Sequence, residues 1–489
     1  SANTALTNLT VNNCALTSLD VSNNTALINL NCSQNELTTL DLSANTALTA
    51  LSCSNNNLTS LDVSANTALT ELNCHINSLT SLDVSNNSSL TYLACYMNDI
   101  TSLDVSNIAG LQHLKANSNE LSSLDISNNP NLVSVGCSNN NLTSLDVSNN
   151  PLLTEIECGG DDNQQFASLD VSNNTLLSNL KCANLGLTSL DVSNNTALSV
   201  LFCQGNLLTS LDVSSNPALV NLNCPDNLLT SLDVSSNTDL GSLDCGTNQL
   251  TSLDVSNNTA LNTLICVNNP LTYLNMKNGL TDQLSTFNAT GNSSLTCIET
   301  LAPDYATANW TSANGNIPAG VTFDIICGAA ARTHWYVDTT GSDLTGSGTL
   351  ASPLFSIQTA INAATVGDTV SVAAGTYVEN IEVNKEIAII GEDRLTTIID
   401  GDSSGSVVYF GSNAGSGALL KEFTIQNGTG RYGLHAASSA LCGGGVFLDD
   451  GSSPKLISLI VTNNQAEGRG AGIFKNTGAT LLVQNTIIN

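Results

Sequence analysis

Positive charge is what this sequence lacks most. Its 489 residues carry 11 Lys+Arg against 41 Asp+Glu, a formal net charge of -30. The shortage is concentrated in residues 1–330, which hold 3 Lys and no Arg against 27 acidic residues; residues 331–489 hold 8 basic and 14 acidic ones. A chain without a basic stripe cannot neutralise phosphates, so nucleic acid is excluded as a partner. An anionic membrane surface would repel it for the same reason. No apolar run approaches the roughly 18 residues that cross a bilayer, so direct membrane insertion is not expected. Aromatic residues make up 4% of the chain, and no Ser-His-Asp, P-loop or zinc pattern occurs. Few Lys and aromatics among many Asn, Ser and Thr suit a protein that is extracellular or on the outer cell surface. The chain opens inside a repeat at Ser1-Ala-Asn and stops in mid-pattern at Thr486-Ile-Ile-Asn489. It is expected to be a mature or trimmed piece of a longer protein.

What the sequence has instead is period. A 21-residue unit recurs about a dozen times, overriding any domain count taken from length. In Leu27-x-x-Leu30-x-Cys32-x-x-Asn35-x-Leu37, Leu30 and Cys32 alternate with outward residues, the mark of a short strand with one buried face. Asn35 stands at the turn, where its side chain can bond neighbouring backbone and build a ladder from coil to coil. Leu37-x-x-Leu40-x-Leu42-x-x-Asn45 restates the phrase, which predicts two strand-like edges per coil. A single coil cannot bury its own apolar face; stacked coils share one continuous core.

These strings resemble the 21-residue leucine-rich repeats of bacterial surface proteins, and specifically their internalin J-like cysteine-ladder class. The resemblance covers residues 6 to about 275. It implies a surface-exposed adhesin whose variable strand face recognises a partner. Three lapses interrupt the pattern: Ala116 replaces Cys, Leu185 replaces Asn, and three extra residues enter within Gly159–Gln165.

Eleven of the 15 cysteines fall at one repeat position: Cys32, Cys53, Cys74, Cys95, Cys137, Cys158, Cys182, Cys203, Cys224, Cys245 and Cys266. In-register strands about 4.8 Å apart put neighbouring thiols within reach, but their Cβ vectors run parallel instead of converging. The column is therefore expected to pack as small hydrophobes. Cys297 and Cys327 flank an irregular stretch containing Trp310 and are expected to form a disulfide.

A second column holds Asp20, Asp41, Asp62, Asp83, Asp104, Asp125, Asp146, Asp170, Asp191, Asp212, Asp233 and Asp254. Stacked carboxylates repel, so flanking Ser and Thr hydroxyls and backbone N–H groups must offset the repulsion. The rival reading is a cation stripe for Ca²⁺, the hard ion that oxygen ligands suit. No cofactor or other metal is expected, because no Cys-x-x-Cys or neighbouring His accompanies the Cys column.

Outward positions beside the Cys strand vary from coil to coil. Three adjacent coils gather Glu71, His75, Ile76, Tyr92, Tyr96, Met97, His113 and Lys115, against a background of Ser, Asn and Thr. Tyr and Met are enriched where protein surfaces meet partners, and aromatic faces also stack on sugars. This is the candidate ligand-binding patch; drift at tolerant exposed positions is the bland alternative.

From about Thr333 the 21-residue period disappears. Pro353–Ala364 has the apolar spacing of a short helix, with Phe355, Ile357, Ala360, Ile361 and Ala364 on one face. Ten short strands are predicted after it, among them Thr369–Val372, Ile381–Val383, Val446–Leu448 and a single strand over Leu456–Val461. Gly367–Tyr377 and Ile387–Glu392 resemble the opening of right-handed parallel β-helices of the pectate-lyase-like kind, and Gly443–Phe447 resembles a later coil. That fold hosts lyases and non-catalytic adhesins alike. Catalysis there would fall to Asp400/Asp402 or Asp449/Asp450 with Arg394, Arg431 or Arg469, residues that turns explain as well.

The expected fold class is therefore all-β solenoids, a leucine-rich repeat solenoid joined to a right-handed parallel β-helix. The expected divisions are residues 1–275 for the repeats, 276–332 for a cap bearing the disulfide, and 333–489 for the start of the β-helix. The combination resembles surface proteins of Bacteroidetes. The expected function is non-catalytic adhesion to a glycan or surface protein. A polysaccharide lyase or hydrolase and a structural spacer are the alternatives.

Overall fold

The computed structural model describes residues 3–160, 164–328, 332–432 and 441–489. Residues 161–163 of the expected insertion lie outside these. The chain divides into two compact units. One comprises Ser1–Leu274, Asp282–Thr296 and Asn309–Val321; the other comprises Asn275–Thr281, Cys297–Ala308 and Thr322–Asn489. Residues 276–332 are thus shared between the two.

In the first unit, three-residue strands from Asn8–Thr10 to Thr286–Asn288 form one parallel sheet of 14 strands. Leu30 pairs with Leu51, and Leu51 with Leu72, so the buried residue of each coil stacks on its equivalent in the next. Cys32 follows two residues later and is fully buried, its N–H bonding Ser52 O at 2.8 Å. All eleven cysteines of the column are buried free thiols, and burial pushes Cys32, Cys95 and Cys137 up to about 12. They are packing residues, as a position otherwise filled by Leu requires. Ala116 fills the same slot and is fully buried.

The asparagine after each strand is an adaptor for backbone. Asn227 Oδ1 accepts Leu208 N–H at 3.1 Å, while Nδ2 donates to Cys203 O, Cys224 O and Pro225 O at 3.0, 3.2 and 3.2 Å. In the coil with the insertion, Gln164 takes over this work. Its Nε2 donates to Cys158 O at 2.7 Å, and its Oε1 accepts Asn140 N–H at 2.8 Å.

The second edge of each coil departs from expectation. In the repeats, among the described residues, strands form there only at Ser252–Asp254 and Tyr273–Asn275. Side-chain bonds hold this edge throughout, the coil of Ser252–Asp254 included. Asp41 Oδ1 accepts Ser43 N–H at 2.9 Å, a turn bond repeated down the Asp column. Coil-to-coil contact is carried by a second asparagine row, in which Asn45 Nδ2 donates to Val21 O and Asn24 O at 3.1 and 2.9 Å.

In the second unit, successive strands visit three parallel sheets in rotation. His334–Val337 and then Thr369–Val372 begin the first, and Gly375–Val378 and Ile381–Val383 open the other two; Ala388–Gly391, Thr397–Asp400 and Val408–Phe410 stack on them in turn. Trp335, Val370, Ile389, Leu420 and Leu456 align through one sheet and are all fully buried. The expected single strand Leu456–Val461 is two, Lys455–Ile457 and Ile460–Thr462, in different sheets. Ser458 between them has φ +55°, a one-residue corner matched by Glu422 at +62° and Asn485 at +47°. The helix is also shorter than predicted, Ile357–Ala363, because the Ser356 hydroxyl caps it by accepting Thr359 N–H. Phe355 therefore precedes the helix and is 51% exposed, not on its buried face.

Within the same unit Cys297 and Cys327 form a disulfide with Cα atoms 5.8 Å apart. Beside it Lys277 Nζ lies 2.9 Å from Glu299 Oε2 in a buried ion pair, and Glu299 Oε1 accepts Cys327 N–H at 3.1 Å.

Candidate functional site

The variable face is built by register. Glu71, Tyr92 and His113 are direct cross-strand partners, as are Asn73, Ala94 and Lys115. Just past the strands, Ile76 N–H bonds Tyr96 O at 2.9 Å, and Met97 N–H bonds Asn117 O at 2.9 Å. The eight residues picked from the sequence therefore fall on three consecutive coils.

Their side chains interact. The His75 and Tyr96 rings stack with centroids 4.2 Å apart and planes 9° from parallel; Tyr92 and His113 meet at 6.0 Å, tilted by 47°. Ala94, outward in sequence terms, has no exposed surface. Burial, and then the nearby Lys115 charge, hold the His75 imidazolium below its ordinary 6.5, so the ring is neutral at pH 7. Its Nδ1 is buried without a hydrogen-bond partner.

Ile76 and Met97 stand at a special backbone position. The residue two after the Cys-column position is left-handed in coil after coil: Asn13, Gln34, Asn55, Ser118, Asn139, Asn184, Gly205, Asp226, Thr247 and Asn268 all have φ between +51° and +68°. These are polar or glycine residues. Ile76 (φ +55°) and Met97 (φ +56°) are the apolar exceptions, and Met97 is 51% exposed. A β-branched residue in this region is a genuine outlier, costing roughly 1–2 kcal/mol. Position 76 is therefore not one where a large apolar residue is tolerated freely.

The face continues past the residues picked from sequence. Ser134 Oγ donates to Glu155 Oε2 at 2.9 Å, Asn117 Nδ2 reaches Glu157 Oε2 at 3.4 Å, and Glu157 pairs with Lys181. Gly136 leaves room for Asn117, whose Oδ1 would lie 2.4 Å from a Cβ at that site. Reading the same two columns beyond Lys115 would have found Glu155, Glu157 and Lys181. On the other side a cavity of about 160 Å³ is lined by Asn29, Asn31, Ala50, Ser52, Glu71 and Asn73.

The Asp column is a row of capped turns. The Ser43 hydroxyl, and then its N–H, hold the Asp41 carboxyl below its ordinary 3.8, while Asp20 and Asp62 push weakly the other way. Among the described residues no group of three or more His, Cys, Asp or Glu is arranged to hold a metal ion. Asp400 and Asp449, two of the four carboxylates considered for catalysis, are engaged between coils. Asp400 Oδ2 accepts Gln426 Nε2 and Asn427 Nδ2 at 2.9 and 2.8 Å; Asp449 accepts Tyr409 OH and Asn476 Nδ2 at 2.8 and 2.9 Å. Arg394 Nη1 donates to Asn485 O at 2.9 Å, and Arg431 lies over the Tyr409 ring at 3.8 Å.

No protein-family model matches the sequence, and no curated protein does. Solved structures do. The functional domain of InlJ from Listeria monocytogenes, which includes a cysteine ladder, is 30% identical over 77% of this chain and 76% of that one, with a TM-score of 0.53. A leucine-rich repeat protein of Leptospira interrogans is 22% identical over 60% of this chain and 84% of that one, with a TM-score of 0.51, a likeness of fold. No helix among the described residues is long and apolar enough to cross a membrane.

Proposed function

Because this chain belongs to the leucine-rich repeat proteins, we propose that it is a secreted or surface-held adhesion protein that binds a protein partner through the face centred on Tyr92 and Tyr96. The observation that carries the reading is the pair Ile76 and Met97. Both hold large apolar side chains at left-handed positions that other coils give to Asn, Gln, Ser, Thr, Asp or Gly. Drift would return such positions to residues that tolerate the backbone. Retaining apolar groups there, beside stacked rings and a lone Lys115, suits a recognition patch. The second unit is read as the start of a pectate-lyase-like parallel β-helix acting as a further module, in a protein of Bacteroidetes type.

The test uses an array of extracellular proteins and, in parallel, a glycan array, each probed with the whole chain. Tyr92→Ala with Tyr96→Ala is expected to abolish the protein hits and leave the circular dichroism spectrum unchanged. Ile76→Asn should weaken the same hits without lowering the melting temperature. Hits that survive the double substitution would sink the assignment, and hits confined to glycans would reassign the face to saccharides.

A further inference from the structure

Outside the repeat face, the second unit contains a cavity of about 490 Å³ that no part of the adhesion reading uses. It falls within the roughly 300–1,000 Å³ typical of ligand pockets. Its floor is a row set by sheet register: Tyr336 pairs with Ser371, and Ser371 with Ile390, on neighbouring parallel strands. Asp338 and Glu392 follow the strands of that row, and Leu350 and Pro353 also line the cavity. Leu350 is 76% exposed, a large apolar side chain held open to solvent.

The polar groups have unused capacity pointing to one kind of ligand. Asp338 Oδ1 accepts both Thr340 N–H and its hydroxyl at 2.8 Å, and Glu392 Oε2 accepts Ala374 N–H at 3.0 Å. One oxygen of each carboxylate is thereby fixed, leaving the second as an acceptor. Ser371 Oγ is positioned by His334 Nε2 at 2.8 Å, and the His334 ring lies 4.9 Å from that of Tyr336. No Lys or Arg is among the described residues that line the cavity, so a phosphate, sulfate or uronate would enter unpaired beside two carboxylates, at high cost. Hydroxyl donors match free carboxylate oxygens, and the C–H face of a pyranose matches Tyr336, Ile390 and Leu350. We infer that this cavity is a binding site for a neutral saccharide, with Tyr336 as the stacking platform and Asp338 and Glu392 as hydroxyl acceptors.

The experiment is saturation-transfer NMR on the full chain with cellobiose, maltose and lactose, and with galacturonic acid as the charged control. Transfer to at least one neutral disaccharide and none to galacturonate is expected. Tyr336→Ala should weaken that binding about tenfold or more, Tyr336→Phe should retain it, and Glu392→Gln should weaken it with folding intact. Tyr92→Ala with Tyr96→Ala should leave it unchanged, which separates this pocket from the repeat face. No transfer to any of the three disaccharides at millimolar concentration would overturn the inference. So would equal binding of galacturonate, or full binding by the Tyr336→Ala protein.

Discussion

The two asparagine rows look alike in sequence but differ in what their removal exposes, and that difference can be measured. Asn227→Ala takes away the acceptor that, among the described residues, holds Leu208 N–H, a backbone donor on a fully buried residue. An orphaned buried group costs about 1–3 kcal/mol. The carbonyls lose less, because Cys203 O keeps Asn206 Nδ2 and Cys224 O keeps Asn248 Nδ2. Lost donation and a small void bring the expected cost to about 2–4 kcal/mol. Asn216 in the other row donates to Val192 O and Asn195 O. Those carbonyls also accept Asn195 N–H and Leu198 N–H, and Asn216 Oδ1 is buried without a partner. Asn216→Ala therefore orphans no backbone group and removes one already unsatisfied, so its cost should be about 1 kcal/mol. Urea unfolding followed by circular dichroism gives the global value, and hydrogen exchange of peptides spanning 200–230 locates the loss. An Asn216→Ala cost equal to or above that of Asn227→Ala would refute the reasoning.

Native thiols of the column should resist Ellman's reagent at pH 8 while exposed Cys14 reacts; labelling of several column thiols without unfolding would contradict their burial. Their folded pKa lies above the unfolded 9.0, so the stability they contribute is complete below pH 9 and falls as pH rises toward about 12. A urea midpoint that stays level from pH 8 to pH 11 would count against this. The Asp column has the opposite sign: its carboxyls are held below 3.8, so their contribution is complete above that pH and lost on further acidification. Melting temperatures from pH 6 to pH 2 should drop below pH 4, and Ser43→Ala with Ser85→Ala should shrink that dependence. Reducing Cys297–Cys327, which closes a loop with a sequence separation of 30, should cost about 3–4 kcal/mol in the second unit, read as a lower melting temperature under reductant.

How much was legible depended on period. The Leu30–Cys32 strand and the buried column followed from alternation repeated at a fixed interval, because an identical phrase must stack on its own copy. The patch residues were legible for the same reason, since one column lists its members in order. Over most coils the second edge was misread because Leu40-x-Leu42 has the alternation of a strand, and alternation reports a buried face, not backbone pairing. Gln164 was invisible as a ladder residue because its longer side chain acts from a displaced position.

By itself the sequence determined the repeat, its parallel register, the packing role of the cysteines and the coils on which variable residues collect. These are one-dimensional facts, since every contact repeats at one separation. Tertiary structure alone decided that the His75 and Tyr96 rings stack and that Ile76 and Met97 occupy left-handed backbone. It alone joined Tyr336, Ser371 and Ile390 in a row. Rotamers, turn handedness and pairings at unequal separations depend on how neighbouring chains pack. No periodicity in the sequence encodes them.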